Sequence, residues 1–154
     1  MLPGQKKLSG GCLCGNVRYE SDATPRTSVI CHCETCRHTH GAPMVGWVMV
    51  PAASVRLLNG KPDTYRSSER ATRQFCNVCG TSLFYIADVR PDEIDIATGT
   101  LDDPSLSPPV KHIWGEQKLD WVKLADGLPV WAQSSVGPDA RLLETEDTVT
   151  GEPA

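Results

Sequence analysis

Seven cysteines fall in three short clusters: Cys12-Leu13-Cys14, Cys31-His32-Cys33-Glu34-Thr35-Cys36 and Cys76-Asn77-Val78-Cys79. An odd number cannot be used up by a closed set of disulfides. Cysteines one residue apart rarely bridge each other, because a disulfide needs facing side chains at a set separation. Thiolates this close do suit a shared cation. Zinc takes four ligands in a closed structural site and three plus an open position in a catalytic one, and seven divides as four and three. Cys76-x-x-Cys79 followed by Gly80 has the form of a zinc knuckle, a tight turn whose glycine relieves the backbone. Together with Cys12 and Cys14 it makes a four-thiolate set that closes the coordination sphere, staples the N-terminal segment to the middle of the chain and contributes folding energy. Thiol redox chemistry is the competing reading of these four residues.

Cys31, Cys33 and Cys36 can hold one face of a zinc ion and leave the fourth position to solvent or substrate. Three thiolates on Zn²⁺ give one net negative charge, which makes a poor Lewis acid. Coordination nevertheless deprotonates a bound thiol, and the resulting thiolate can attack an electrophilic carbon at neutral pH. The alternative is a second structural site completed by a distant histidine. His32, between two of the ligands, is expected to point away from the metal, either as a proton-transfer group or as a plain surface histidine. His38 and His40 follow in a polar loop as solvated residues or acid–base groups, and His112 beside Trp114 is expected to pack rather than ligate. Glu34 is either a proton shuttle or simply solvated. Arg66, Arg70 and Arg73 with Ser67-Ser68 form either a carboxylate-binding set or a solvated strand face. Trp47 reads as core.

These side chains need elements to hold them. The chain has 154 residues, 40% of them hydrophobic, with 13 Gly and 12 Pro, which favours one turn-rich, mainly β domain of small antiparallel sheets organised around zinc. Residues 1–9 read as a loose leader, with Gly10-Gly11 opening a turn. Strands are expected at Val17–Glu20, Thr27–Ile30, Met44–Val50, Val55–Leu58, Thr64–Arg66, Leu83–Ile86, Ile94–Ala97 and Val110–Trp114, and Ala71–Phe75 leads into Cys76. The continuous apolar run Met44–Val50 is expected to be buried on both faces. Val55–Leu58 and Thr64–Arg66 flank an Asn59–Asp63 turn, and the middle cysteine cluster is expected on a loop ended by Gly41-Ala42-Pro43. Asp102–Pro109 is a loop with room for one helical turn. Trp121 and Trp131 are expected to clamp the end of the domain onto the core, and from Ser134 the chain turns polar and acidic, as a disordered tail does. The expected division is a flexible leader over 1–7, the zinc domain over 8–132 and the tail over 133–154.

The formal charge of −4 and the sequence pI of about 5.5 argue against a nucleic-acid partner. No apolar run reaches the roughly 18 residues that a membrane span needs, and the basic start Lys6-Lys7 is followed by no hydrophobic stretch of signal-peptide type. A cytoplasmic location, where thiols stay reduced, is expected.

Gly10-Gly11-Cys12-Leu13-Cys14-Gly15-Asn16-Val17-Arg18-Tyr19, Cys31-His32-Cys33-Glu34-Thr35-Cys36-Arg37, Gly41-Ala42-Pro43 and Phe75-Cys76-Asn77-Val78-Cys79-Gly80 together resemble the glutathione-dependent formaldehyde-activating enzyme family, the GFA/CENP-V-like domain. Gly99–Pro104 and His112–Trp114 resemble its later segments, so that the likeness covers residues 8–132. The resemblance implies small antiparallel sheets around two Zn²⁺ ions. Cys12, Cys14, Cys76 and Cys79 match the structural zinc ligands, and Cys31, Cys33 and Cys36 match the catalytic ones. It implies a carbon–sulfur lyase that reversibly joins formaldehyde, or a related aldehyde, to glutathione or a similar thiol, as S-(hydroxymethyl)glutathione synthase does. The expected partners are thus a small-molecule thiol and an aldehyde, with no nucleic acid and no membrane. Two other classes compete: a zinc-stabilised binding or scaffold module without catalysis, and a thiol-redox or metal-handling protein.

Overall fold

The computed structural model describes residues 7–144; the parts of the expected leader and tail at 1–6 and 145–154 lie outside the described residues. The chain is mainly β, with ten strands and one α-helix among the described residues. It divides into two compact units that alternate along it: residues up to Ser28 with Gly46–Pro109, and Val29–Val45 with the residues from Val110 onward. Each unit holds one complete cysteine cluster. Among the described residues no helix is long and apolar enough to cross a membrane.

In the first unit, β1 (Leu8–Gly11), β2 (Arg18–Ser21) and β5 (Val55–Asn59) form a three-stranded antiparallel sheet in the order β1-β2-β5. A second set runs in the order β4 (Val45–Pro51), β9 (Glu93–Ala97), β8 (Ser82–Ala87), β7 (Ala71–Phe75) and β6 (Asp63–Ser68), antiparallel throughout. Val48 and Val50 of β4 face Ile96 and Ile94 of β9, and all four are buried. Tyr19 and Phe84 meet edge to face with ring centroids 4.9 Å apart, a geometry that aligns the positive ring edge with the negative ring face. Cys12 and Cys76 belong to this same core, with Leu8, Val17 and Leu83.

One local expectation changes here. Leu8 is only 2% exposed and Gly10-Gly11 lie within β1 rather than in a turn, because alternate residues of the segment pack inward while its backbone pairs with β2. Strands flank the Asn59–Asp63 turn as expected, and each pairs elsewhere. β5 pairs with β2 and β6 with β7, since neither strand offers the other an apolar face: nearly every residue of both is exposed. Asp102–Pro109 carries its helical turn at Pro104–Leu106, opened by the Asp103 carboxylate accepting from the Ser105 amide at 3.1 Å.

In the second unit, β3 (Thr27–Cys31) ends beside β10 (His112–Ile113), and the two run parallel, with His112 opposite Ile30 and Ile113 opposite Cys31. The last expected strand is thus two residues long, and its pairing is parallel rather than antiparallel. The middle cysteine cluster lies not on a loop but on a helix, α1 (Glu34–His40). Cys33 is its N-cap, with Sγ accepting from the Cys36 amide at 3.3 Å, and Gly41 ends it at φ 58°, a left-handed conformation that glycine adopts without strain. Glu34 in the first turn and Arg37, His38 and His40 in the last complement the helix dipole. Trp121 does not clamp the unit: it is 69% exposed. Residues just past 133 are tied back to the preceding chain, since Trp131 pairs with Leu142 and the Leu143 amide donates to the Val130 carbonyl at 2.7 Å.

Candidate metal centres

The first centre is built from two turns that have the same plan. The Gly15 amide donates to the Cys12 carbonyl at 3.0 Å, and the Gly80 amide to the Cys76 carbonyl at 2.8 Å. Gly80 has φ 75°, so the knuckle needs a residue free of Cβ strain. The Val17 amide donates to Cys12 Sγ at 3.2 Å. Thr81, which drew no notice in the sequence, links the two turns: its Oγ1 accepts from the Leu13 amide at 3.1 Å and lies 3.1 Å from Cys79 Sγ. A short hydroxyl two residues after a knuckle cysteine is the signal that could have found it.

The four sulfurs of Cys12, Cys14, Cys76 and Cys79 lie within 4.8 Å of one another. Thiolates about 2.3 Å from a tetrahedral zinc stand about 3.8 Å apart. The Cys12–Cys14 and Cys14–Cys76 separations are 3.5 and 3.8 Å, so the donor set fits such an ion. The electrostatics agree. The Thr81 hydroxyl and amide hold the Cys79 thiol down to about 5. The Asn16 amide favours the Cys14 thiolate, yet burial and the other three sulfurs outweigh it and push that thiol up to about 12. Four thiolates this close repel one another unless a cation lies among them.

The second centre contains Cys31 at the end of β3, Cys33 at the N-cap of α1 and Cys36 inside its first turn. Their sulfurs also lie within 4.8 Å of one another, and among the described residues no His, Asp or Glu completes a fourth position with them. Cys33 and Cys36, then burial, push the Cys31 thiol well above its ordinary range, the same mutual repulsion that a divalent cation relieves. The donors are all soft, which suits zinc.

His32 is neither a ligand nor a surface residue. It is fully buried, its Nε2 lies 2.9 Å from His112 Nδ1, and His112 Nε2 lies 2.9 Å from Asp126 Oδ2. The two imidazoles stack with centroids 5.1 Å apart. Burial, with His112 next, pushes the His32 imidazole down to about 4. Burial alone would raise the Asp126 carboxyl, but the Leu128 amide and His112 outweigh it and hold the group below its ordinary range. The sequence marks Asp126-Gly127-Leu128-Pro129 only as a turn, and folding brings Asp126 to His112. His38 is exposed on α1, and His40 Nδ1 lies 3.1 Å from the Cys36 carbonyl oxygen. Glu34 is exposed, and its amide donates to Gln117 Oε1 at 2.8 Å.

The arginines do not converge. Arg66 lies exposed against Asp88, with one bond of 2.9 Å, and Arg70 is exposed. Arg73 is buried, its guanidinium 4.8 Å from the Tyr85 ring centre and 5.8 Å from that of Trp47. Neighbouring strand positions send side chains to opposite faces, which splits the set. Trp47 is buried as expected. A surface hollow of about 430 Å³ lies along α1, lined by Arg37, His38, Gly41, Ala42, Pro43, Leu119 and Trp121.

The family model of the glutathione-dependent formaldehyde-activating enzymes matches residues 7–117. The chain belongs to this family. All seven cysteines lie within the span matched by the formaldehyde-activating enzyme model, whereas Asp126 lies beyond it. The chain is also similar to an uncharacterized lyase of Schizosaccharomyces pombe, at 34% identity over 79 residues, 51% of this chain and 57% of that protein. The match therefore spans little more than half of that relative's length. A crystal structure of a Rhodobacter sphaeroides protein has a similar fold, with a TM-score of 0.52 and 23% identity over 61% of this chain and 87% of the other.

Proposed function

We propose that this protein is a zinc-dependent carbon–sulfur lyase that reversibly joins formaldehyde, or a related aldehyde, to glutathione or a similar thiol. The observation that carries the reading is the contrast between the two clusters, four converging sulfurs in one and three in the other. Cys12, Cys14, Cys76 and Cys79 would hold a closed, structural zinc. Cys31, Cys33 and Cys36 would hold a second one with a position left for substrate, and zinc there supplies stabilisation of a substrate thiol as its thiolate.

The net reaction forms one carbon–sulfur bond. The thiolate sulfur adds to the carbonyl carbon, the carbonyl oxygen takes up a proton, and the reverse step expels the thiol and restores the aldehyde. The chain's own residues hold the partners close, which converts an encounter into an effectively unimolecular step. The hollow beside α1 supports the choice of thiol, since Arg37 and the exposed Trp121 offer a positive charge and a flat apolar face to a peptide thiol bearing carboxylates. Membership of the formaldehyde-activating family supports the choice of aldehyde. A cytoplasmic setting, with its reduced thiol pool, fits this reading.

The test is exchange of formaldehyde with glutathione followed by NMR, corrected for the spontaneous reaction, on protein of measured zinc content. The wild type is expected to accelerate exchange, and Cys33→Ser to abolish the acceleration while Cys12, Cys14, Cys76 and Cys79 retain their metal. Equal rates with and without wild-type protein, for every thiol tried, would overturn the proposal.

A further inference from the structure

His32 is fixed at three points although it lies between two cysteines of the second centre. Its amide donates to the Ile113 carbonyl at 3.1 Å, its carbonyl accepts from Arg37 Nε at 3.2 Å, and its ring Nε2 meets His112 Nδ1 at 2.9 Å. Among the described residues the remaining ring atom, His32 Nδ1, which is buried, has no hydrogen-bond partner.

The direction of the chain of bonds follows from its far end. The Asp126 carboxylate has no proton to give, so its Oδ2 accepts from His112 Nε2–H. Where each ring carries a single N–H, His112 Nδ1 is then an acceptor and His32 Nε2 the donor to it. By the same rule His32 Nδ1 keeps a lone pair. We propose that Asp126, through His112, holds His32 as the Nε2–H tautomer, so that the residue between Cys31 and Cys33 presents a buried acceptor to a small hydroxylic donor, water or an alcohol, rather than to a carbonyl. Asp126 and His112 are positioning residues in this scheme. They are second-layer partners of the residue that spaces two thiolates, and such partners set ligand orientation.

The Leu128 amide makes the proposal testable with one substitution. It donates to Asp126 Oδ1 at 3.1 Å. In Asp126→Asn the amide oxygen is kept at that position by the same bond, which puts the side-chain NH₂ where Oδ2 stood, facing His112 Nε2. His112 must then accept at Nε2 and donate from Nδ1. His32 must in turn accept at Nε2, and its buried Nδ1 becomes a donor.

Long-range ¹H–¹⁵N correlation spectra of the zinc-loaded full chain at pH 8 read both tautomers directly, with His38→Ala and His40→Ala variants for assignment. The expected result is Nε2–H on both rings in the wild type and Nδ1–H on both in Asp126→Asn. Nδ1–H on either wild-type ring, or unchanged tautomers in the variant, would overturn the proposal; the wild-type spectrum alone decides it if the variant does not fold. The link to turnover rests on the lyase reading above and is measured separately. At full zinc content Asp126→Asn is expected to lower kcat about 10–100-fold with the thiol KM unchanged, and an unchanged kcat would refute a positioning role in the reaction. If the wild type has no lyase activity, the spectra still decide the tautomers.

Discussion

Replacing Cys76 by serine is expected to lower the melting temperature of the zinc-loaded protein by roughly 10–20 °C, at about 2–4 °C per kcal/mol for a chain of this size. The magnitude comes from chain topology. Cys14 and Cys76 are 62 positions apart with sulfurs at 3.8 Å. A cross-link closing a loop of that length removes about 4 kcal/mol of unfolded-state entropy in the chain-entropy model. Exchanging one buried sulfur for oxygen costs about 1 kcal/mol in lost burial, so the cross-link dominates. The total stability of a domain is about 5–15 kcal/mol, and the loss is therefore large enough to read by calorimetry or circular dichroism at matched zinc content. Cys33→Ser is the control. Cys31 to Cys36 closes a loop of only a few residues, and the logarithmic dependence makes that closure worth about 2 kcal/mol less. A chelator strong enough to strip zinc should lower the wild-type melting point at least as far. A Cys76→Ser protein that melts within about 2 °C of the wild type, or a wild-type melt unmoved by the chelator, would refute the stapling role of the four-cysteine centre.

Gly10→Ala is expected to destabilise the protein by about 1–3 kcal/mol or more, because a Cβ there would stand 2.3 Å from the Thr100 carbonyl oxygen and 2.4 Å from the Tyr19 hydroxyl; equilibrium urea unfolding measures it. Arg90, then Arg26, hold the Glu93 carboxyl below its ordinary range against an opposing effect of burial. A carboxyl lowered on folding stabilises above its unfolded pKa of about 4.3 and loses that contribution as pH falls through the lower folded value. The stability gap between wild type and Glu93→Gln at pH 7 should accordingly close as the pH is taken below about 4; a gap that stays constant down to pH 3 would contradict the pairing. Arg66→Ala should change stability by no more than about 1 kcal/mol, since the Arg66–Asp88 pair is half exposed. Trp121→Phe should remove the most readily quenched part of the tryptophan fluorescence in an acrylamide titration, because Trp121 is 69% exposed and Trp47 only 4%.

The sequence by itself determined the donor sets and the strand content. The spacings Cys12-x-Cys14 and Cys76-x-x-Cys79 are local, and each turn closes on its own amide-to-carbonyl bond, so residue order was enough to expect sulfurs converging within it. Strands such as Met44–Val50 were legible because a continuous apolar run has few other places to go. The helix under Cys36 was not, because seven residues with one buried position carry no periodicity to read. Its punctuation, an acidic first turn and a stop at Gly41 before Pro43, was the only local signal. Pairing partners were also beyond the sequence: that β5 joins β2 rather than β6 depends on backbone groups far apart in the chain, and exposed strands leave register to tertiary context. The same holds for His32. Its neighbours in sequence are thiols, but its ring answers to His112 and Asp126, 80 and 94 residues away, which come within reach only when β10 lies parallel to β3. Residue types and spacing decide which atoms can bind a metal. Long-range packing decides which buried polar atoms have partners.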